Sequence, residues 1–285
     1  MSLTKEERLA LEAKVNEHRH TIIRTTMWAG SGHVGGALSM IDAATLLYYH
    51  YMNIDPKRPD WEDRDRFVLS KGHAGIGHVA ILSDLGFIPY ESLKTFNLTG
   101  SRLGIHLDSS KVPGVDFSTG SLGHGLSLAL GAALAAQQLN KTYRTFCMLG
   151  DGECQEGSVW EAAMAISKFN PPGLVTMVDW NKAQIDGLTE DVMPLEPFAD
   201  KWRAFGFYTV EVDGHDFSAM AEAIDAALER TDAPTCIILD TVKGQGVNVC
   251  AGDYRWHYGA FDEEMAKQAH IDIDAYYEQR VARIK

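Results

Sequence analysis

Residues 145–181 read TFCMLGDGECQEGSVWEAAMAISKFNPPGLVTMVDWN. The segment opens on an apolar run, 145–149, of a length suited to a buried strand, and turns at Gly150-Asp151-Gly152. Residues 156–169 then place apolar side chains at helical spacing, Asn170-Pro171-Pro172-Gly173 ends that pattern, and a second apolar run fills 174–178. Strand, helix, strand predicts two parallel neighbours joined by a crossover helix. Both runs lead directly into polar groups, Asp151-Gly152-Glu153 and Trp180-Asn181. In an open α/β sheet the carboxyl ends of the strands are where ligands bind.

The alternation continues outward from this unit. Runs at 66–69 (RFVL), 208–212 and 236–240 (CIILD) read as further buried strands, and segments 123–139 and 217–228 have helical period. Upstream, Thr4-x-x-Glu7 is a capping-box pattern ahead of a long helix reaching about Met27. A second helix is expected from Ser39, with Ile41, Leu46, Leu47 and Tyr51 on its apolar side, and His18 and His20 of the first helix are expected to face solvent. The predicted fold is α/β, a mostly parallel central sheet with helices on both faces, forming one domain over 1–285. Residues 100–120 follow neither period, which at that length points to a functional loop.

Composition narrows the function. The chain carries 26 Lys and Arg against 39 Asp and Glu, a net charge of −13. That balance argues against nucleic-acid or anionic-membrane partners, which need a basic footprint. The longest apolar stretch, 126–136, is too short to span a bilayer, and the polar amino terminus does not read as a signal peptide. Cys147, Cys154, Cys236 and Cys250 form no CxxC pair, so a reducing, cytoplasmic setting is expected.

Two constellations carry chemistry. Asp151 and Asn181 are oxygen donors thirty positions apart, on what should be adjacent strand ends. A carboxylate and an amide suit a hard cation such as Mg²⁺, which completes its octahedron with phosphate oxygens and water. A helix beginning near Glu156 is expected to aim its amino terminus at the same place, favouring an anion. Glycine-flanked histidines form the second group: Ser31-Gly32-His33, Lys71-Gly72-His73, Gly104-Ile105-His106 and Gly123-His124-Gly125. Imidazoles exchange protons near neutral pH and glycine lets the backbone approach a ligand, so these loops are expected to wall an active site.

In this context Gly150-Asp151-Gly152 followed by Asn181 resembles the thiamine-diphosphate motif. SGHVGG (31–36), LSKGHAG (69–75), the loop from GIHLD to STGSLGHG (104–125), GDGECQEGSVWEA (150–162) and DWNKAQIDG (179–187) are similar, in order, to transketolases. The likeness extends to VKGQG (242–246) and Trp256-His257. It implies a thiamine-diphosphate-binding fold in which Asp151, Asn181 and the main-chain oxygen of Ala183 hold Mg²⁺ (or Ca²⁺ or Mn²⁺ in its place). It further implies Gly152 donating to a phosphate, Ile185 against the thiazolium, and Gly120, Ser121 and Leu122 beside the aminopyrimidine. Lys71, Lys243 and His257 would surround the diphosphate and substrate, with His73 touching both. His33, His73, His106 and His257 would handle substrate protons, and Glu156 would lie toward a subunit interface. The pattern departs from the family at Val34, Leu107 and His124, and Tyr258 separates His257 from Gly259 where the family has an unbroken His-Gly.

The resemblance implies transfer of a two-carbon ketol unit from a ketose, phosphorylated or otherwise anionic, to an aldose. No carboxylate matches the glutamate that activates the cofactor's aminopyrimidine in this family. A separate C-terminal subunit with the pyrimidine-binding domain is therefore expected as partner, in an α2β2 heterotetramer. The alternatives are the α-subunit of a 2-oxo-acid dehydrogenase, disfavoured by the ordered histidine loops, and a non-catalytic cofactor-binding or regulatory subunit. A dinucleotide fold lacks its GxGxxG after the first strand.

Overall fold

The capping box forms at the amino terminus. In the computed structural model, which describes residues 3–284, Thr4 Oγ1 accepts from Glu7 N at 3.2 Å and Glu7 Oε2 accepts from Thr4 N at 2.8 Å. They start α1 (Lys5–Ala29), and Gly30, left-handed at φ 76°, ends it. Helix α2 (Val34–Leu46) begins five residues before the expected Ser39, so His33 is its N-cap. Gly35 and Gly36 hid that start, because glycine disfavours a helix interior. Here close packing requires it: a Cβ on Gly35 would sit 2.7 Å from Lys243 Cγ and from the Trp256 carbonyl oxygen.

The chain continues through β1 (Arg66–Leu69), α3 (Gly75–Leu85), α4 (Gly125–Gln138), β2 (Thr145–Gly150), α5 (Gly157–Phe169) and β3 (Leu174–Trp180). A small hairpin, β4 (Ala183–Gln184) and β5 (Gly187–Leu188), leads into α6 (Thr189–Val192) and α7 (Phe198–Ala204). Then come β6 (Tyr208–Asp213), α8 (Phe217–Glu229), β7 (Thr235–Asp240) and α9 (Glu263–Ile284). The main sheet has order β1-β2-β3-β7-β6, parallel throughout. Gly150 of β2 pairs with Asp179 of β3, so Asp151 and Asn181 leave adjacent strand ends.

The sheet is covered on both faces, and strand residues alternate between two cores. Phe146, Met148, Val175, Met177, Ile237 and Leu239 pack with α1, α2, α3 and α8. Cys147, Leu149, Val178, Cys236 and Ile238 pack with α4, α5 and α7. All four cysteines are free and buried. Among the described residues no helix is long and apolar enough to cross a membrane. Residues 101–120 are irregular, as expected.

Several expectations need correction. His18 does not face solvent: it is 1% exposed, with Nδ1 2.9 Å from Thr45 Oγ1. His20 is half-buried against His270 and Asp274 of α9. Helix α9 itself stayed hidden, because its buried stripe (Ala266, Ala269, Ile273, Val281) is thin and interrupted by charges. Its partner is α1, whose polar outer face reads as solvated until that stripe covers it. Helix α5 does start near Glu156, its N-cap, and a 3₁₀ turn over Gly152–Gln155 lies between that start and Asp151.

Candidate active site

Asp151 follows β2 and is 2% exposed. Its carboxylate accepts from Gly152 N at 2.7 Å, Lys182 N at 2.6 Å and Thr189 Oγ1 at 3.2 Å. Burial and the charge of Asp179 raise its pKa to about 6. No cation is paired with it among the described residues. The turn after β3 closes on this carboxylate because Lys182 adopts φ 64°, uncommon for a side-chain-bearing residue. Donation to Asp151 by its own N–H, and acceptance by its carbonyl from Thr189 N at 2.9 Å, hold that conformation. Asn181 Oδ1 accepts from Ala183 N at 3.2 Å, and Asn181 Nδ2 donates to Asp179 at 2.9 Å. Asp151, Asn181 and Ala183 are thus stitched into one acidic corner.

Asp179 organises that corner, and nothing in the sequence singles it out beyond its place two residues before Asn181. Alternation along β3 turns it, after Val175 and Met177, toward α2, where it is fully buried. It accepts from Ser39 Oγ at 2.6 Å, from Asn181, from Thr241 Oγ1 and from the Lys71 ammonium. Lys71 also donates to the Gly36 carbonyl at 2.8 Å. Its charge is therefore engaged inside the protein rather than presented to a ligand. Lys243, 2% exposed, is the available cation: burial and repulsion by Lys71 lower its pKa to about 8, and its Nζ lies 3.3 Å from His257 Nδ1.

Glu153 is the second organiser missed in the sequence. Buried at 3% exposure, it accepts from Gly123 N at 2.8 Å, Gly150 N at 3.0 Å and Ser70 Oγ. It joins the end of β2 to the 120–125 loop. In that loop Ser121 is exposed, Leu122 half-buried, and a Cβ on Gly120 would lie 3.3 Å from His106 Cδ2. A Cβ on Gly152 would come within 3.2 Å of Gln184 Oε1, a tight contact that glycine avoids. Ile185, at the tip of the β4–β5 hairpin, is 61% exposed, an apolar side chain held out with nothing over it. Glu156 is exposed at the start of α5, beside Gly123.

Three of the four histidines converge. The rings of His33, His73 and His257 form a triangle with centroid separations of 5.1, 5.3 and 5.1 Å. They are not carried on flexible loops: His33 caps α2, and His73 and His257 lie in 3₁₀ turns (Gly72–Ala74 and Tyr254–His257). Reciprocal backbone bonds between Gly32 and Gly259, 2.9 and 3.0 Å, bring the late segment alongside His33. Tyr258 packs edge-on against His33 (4.7 Å) and its hydroxyl bonds Ser31 at 2.6 Å. Burial first, then neighbouring positive charge, depresses the pKa values: His33 to about 4, His73 to about 2, His257 to about 3. His106 is exposed, without ring contact to the triangle; burial of part of its ring lowers its pKa. All four are neutral near pH 7, able to accept a proton from a bound hydroxyl. His33 Nδ1 is buried with no hydrogen-bond partner among the described residues. His124 faces solvent and is tied to the Leu122 carbonyl at 3.1 Å.

An acidic corner, a buried lysine and a wall of neutral imidazoles thus meet at the carboxyl ends of β2, β3 and β7. Comparison with known proteins identifies the family and the fold that carry this arrangement. Residues 11–278 match the family model of the transketolase thiamine diphosphate binding domain. The chain is 40% identical to the 6-deoxy-6-sulfo-D-fructose transketolase subunit SqwG of Clostridium sp. (strain MSTE9), across 94% of this chain and 98% of that protein. It is 36% identical to one subunit of the apulose-4-phosphate transketolase of Phocaeicola vulgatus, across 94% and 95%. Among solved structures it is similar to transketolase from Leishmania mexicana (TM-score 0.87, 27% identity, 96% of this chain). A sedoheptulose-7-phosphate complex of transketolase from Pichia stipitis gives TM-score 0.86 at 30% identity over 97% of this chain. The chain spans 45% and 44% of those two longer proteins. By sequence, by fold and by the order of its motifs, this chain belongs to the transketolase thiamine-diphosphate-binding family.

Proposed function

We propose that this chain is the diphosphate-binding subunit of a two-chain transketolase, moving a two-carbon ketol unit from an anionic ketose to an aldose. The observation that carries the reading is the triangle of neutral imidazoles beside Lys243 and the Asp151–Asn181 corner. The two subunits named above match this chain almost end to end and are named for sulfonated and phosphorylated sugars. A terminal anion on the substrate is therefore part of the proposal.

Asp151, Asn181 and the Ala183 carbonyl would hold Mg²⁺, or Ca²⁺ or Mn²⁺ as substitutes. The donor set fits: a buried carboxylate whose pKa is raised to about 6 by burial and by Asp179, and which has no ion-pair partner among the described residues, gains from a divalent ion. Thiamine diphosphate, when bound, supplies the electron sink that carbon–carbon cleavage beside a ketose carbonyl requires. Every other task falls to the protein. Gly152 would donate its N–H to a phosphate oxygen, Lys243 and His257 would face the diphosphate, and Lys71 would fix Asp179 from behind. Ile185 would press on one ring of the cofactor, with Gly120 to Leu122 along the other. His33, His73, His106 and His257 would take the proton from the hydroxyl beside the breaking bond and return one to the aldehyde oxygen of the acceptor. Partial desolvation keeps those imidazoles neutral, so the base form dominates at neutral pH.

The pyrimidine-binding domain would come from a separate C-terminal transketolase subunit in an α2β2 heterotetramer in the cytoplasm, with Glu156 toward that contact. The test is reconstitution. The purified chain should show no ketol transfer with sugar phosphates or sulfonates, and should gain activity and elute as a larger species when mixed with the partner subunit. Robust transfer by the isolated chain would refute the reading. Calorimetric titration of thiamine diphosphate with Mg²⁺ into the complex tests the metal corner: Asn181→Ala should weaken binding with the fold intact, and unchanged affinity would remove Asn181 from the ligand set.

A further inference from the structure

A second cleft, of about 680 Å³, opens on the far side of the same sheet edge, between the first turns of α1, the last turns of α9 and the carboxyl ends of β6 and β7. We propose that it binds a small organic oxyanion, a phosphate or carboxylate carried on a hydroxylated body.

The register of two helices creates the site. Glu12 of α1 accepts a paired hydrogen bond from Arg280 of α9 at 2.5 and 2.8 Å, and His20 meets Asp274 at 2.9 Å. The helices are antiparallel, so Arg8, one turn before Glu12, and Arg283, three residues after Arg280, come to the same end of the cleft. Arg280 is engaged by Glu12 and, at 3.0 Å, by Asp42. Arg8 and Arg283 have no ion-pair partner among the described residues, and Arg8 Nε is buried without a hydrogen-bond partner there. Both guanidiniums line the cleft, and an anion there would give each the ion pair it lacks among the described residues.

Tyr276 supplies a third donor. Its oxygen accepts from Gln245 Nε2 at 3.0 Å and from Arg280 Nη1 at 3.1 Å. Its own hydrogen has no acceptor among the described residues and is left for a ligand. The opposite wall is acidic: Asp213 accepts from His215 N at 2.8 Å, Asp216 caps α8 through Ser218 N and Ala219 N, Asp240 pairs with Lys182, and Glu211 reaches Arg203 at 3.5 Å. Their charge repels a second anion, and their unused lone pairs accept hydroxyls. One oxyanion at the arginine end and hydroxyls at the acidic end is the complement. The cleft shares no side chain with the candidate active site. From the end of β7 onward, Asp240 and Val242 line the cleft, whereas Thr241 and Lys243 turn to the cofactor side.

The test is calorimetry on the full chain with thiamine diphosphate and Mg²⁺ saturating, so that the diphosphate site is filled. Glycerol 3-phosphate and glycerate are the probes, separating phosphate from carboxylate. At least one should bind saturably. Arg8→Gln with Arg283→Gln should weaken it at least tenfold, and Tyr276→Phe several-fold, with thiamine diphosphate affinity retained; His73→Ala should leave it unchanged. Three results would overturn the proposal: no saturable binding of either probe, wild-type affinity in both the arginine pair variant and Tyr276→Phe, or loss of binding when the partner subunit is added, which would make the cleft a subunit contact.

Discussion

The histidines of the candidate active site and those of the core share one physical property and differ in another. His78 on α3 is 2% exposed and its pKa is pushed to about 3, much as His73 and His257 are pushed to about 2 and 3. Burial is the leading cause in all three. Their hydrogen bonding separates them. His78 Nε2 is bonded to Tyr48 at 2.7 Å, and His18 to Thr45, with the His78 ring packed against Phe67 and Tyr48. His33 keeps a buried nitrogen with no partner among the described residues, and the bond that reaches the triangle of rings runs from Lys243 to His257. A depressed pKa marks burial; unsatisfied donors and acceptors mark a place built for something else.

The largest expected effect breaks that comparison most directly. Replacing His33, His73 or His257 with alanine in the reconstituted complex should lower turnover by ~10²–10⁴-fold, the range for loss of a general acid or base. Calorimetric affinity for thiamine diphosphate should stay near wild type for His33→Ala. Wild-type turnover in all three variants would end the distinction.

His78→Phe should do the reverse. It leaves the Tyr48 hydroxyl buried without its acceptor, at a cost of ~1–3 kcal/mol, read as a lower unfolding midpoint in urea. Turnover of the folded enzyme should change less than twofold, since His78 faces Tyr48 and Phe67 rather than the cleft of imidazoles.

The pH dependence of stability sharpens the contrast. A histidine whose folded pKa lies below its unfolded value of ~6.5 is neutral in both states at high pH. As pH falls, the unfolded chain binds the proton first, so stability is lost from pH ~6.5 down toward the folded value, at up to ~1.4 kcal/mol per pH unit for each fully buried group. Wild-type stability should therefore decline from pH ~6.5 toward about 3, the folded value of His78. Urea titrations at several pH values should show a shallower decline in His78→Phe. Parallel curves for the two proteins would show that His78 is not held neutral by burial.

The main sheet and the pairing of Asp151 with Asn181 at adjacent strand ends were legible because both are local. Strand runs of a few residues, the turn Gly150-Asp151-Gly152, and Asn181 after the next strand announce themselves within one crossover unit. What stayed hidden depends on distant partners. Asp179 means little until α2 brings Ser39 beside it and β1's exit brings Lys71. Glu153 looks like part of a turn until its carboxylate meets Gly123 N. His18 sits in a charged helix and reads as solvated until α2 and α3 close over it. Gly35 suggests a loop by propensity, yet α2 runs through it because Lys243 and Trp256 leave no room for a side chain. Lys71 and Lys243 read alike in sequence, and only packing shows that one ammonium is engaged by Asp179 and the other is not.

The smallest effect expected from a change beside the triangle of imidazoles concerns Tyr258, the residue that interrupts the family's His-Gly. Its ring lies edge-on to His33 at 4.7 Å, and its hydroxyl, bonded to Ser31 at 2.6 Å, fixes that orientation. The side chain is 42% exposed, so its bond competes with water and is worth ~0.5–1.5 kcal/mol. Tyr258→Phe keeps the ring and removes the tether. Turnover should fall only a few-fold, because His33 loses a fixed neighbour and no proton-transfer group is lost. Ser31→Ala should give the same loss from the other end of the bond. The double variant should then be no worse than either single one, since both remove one interaction. Additive losses in that cycle would mean that Tyr258 and Ser31 act separately, and that the tether does not orient His33.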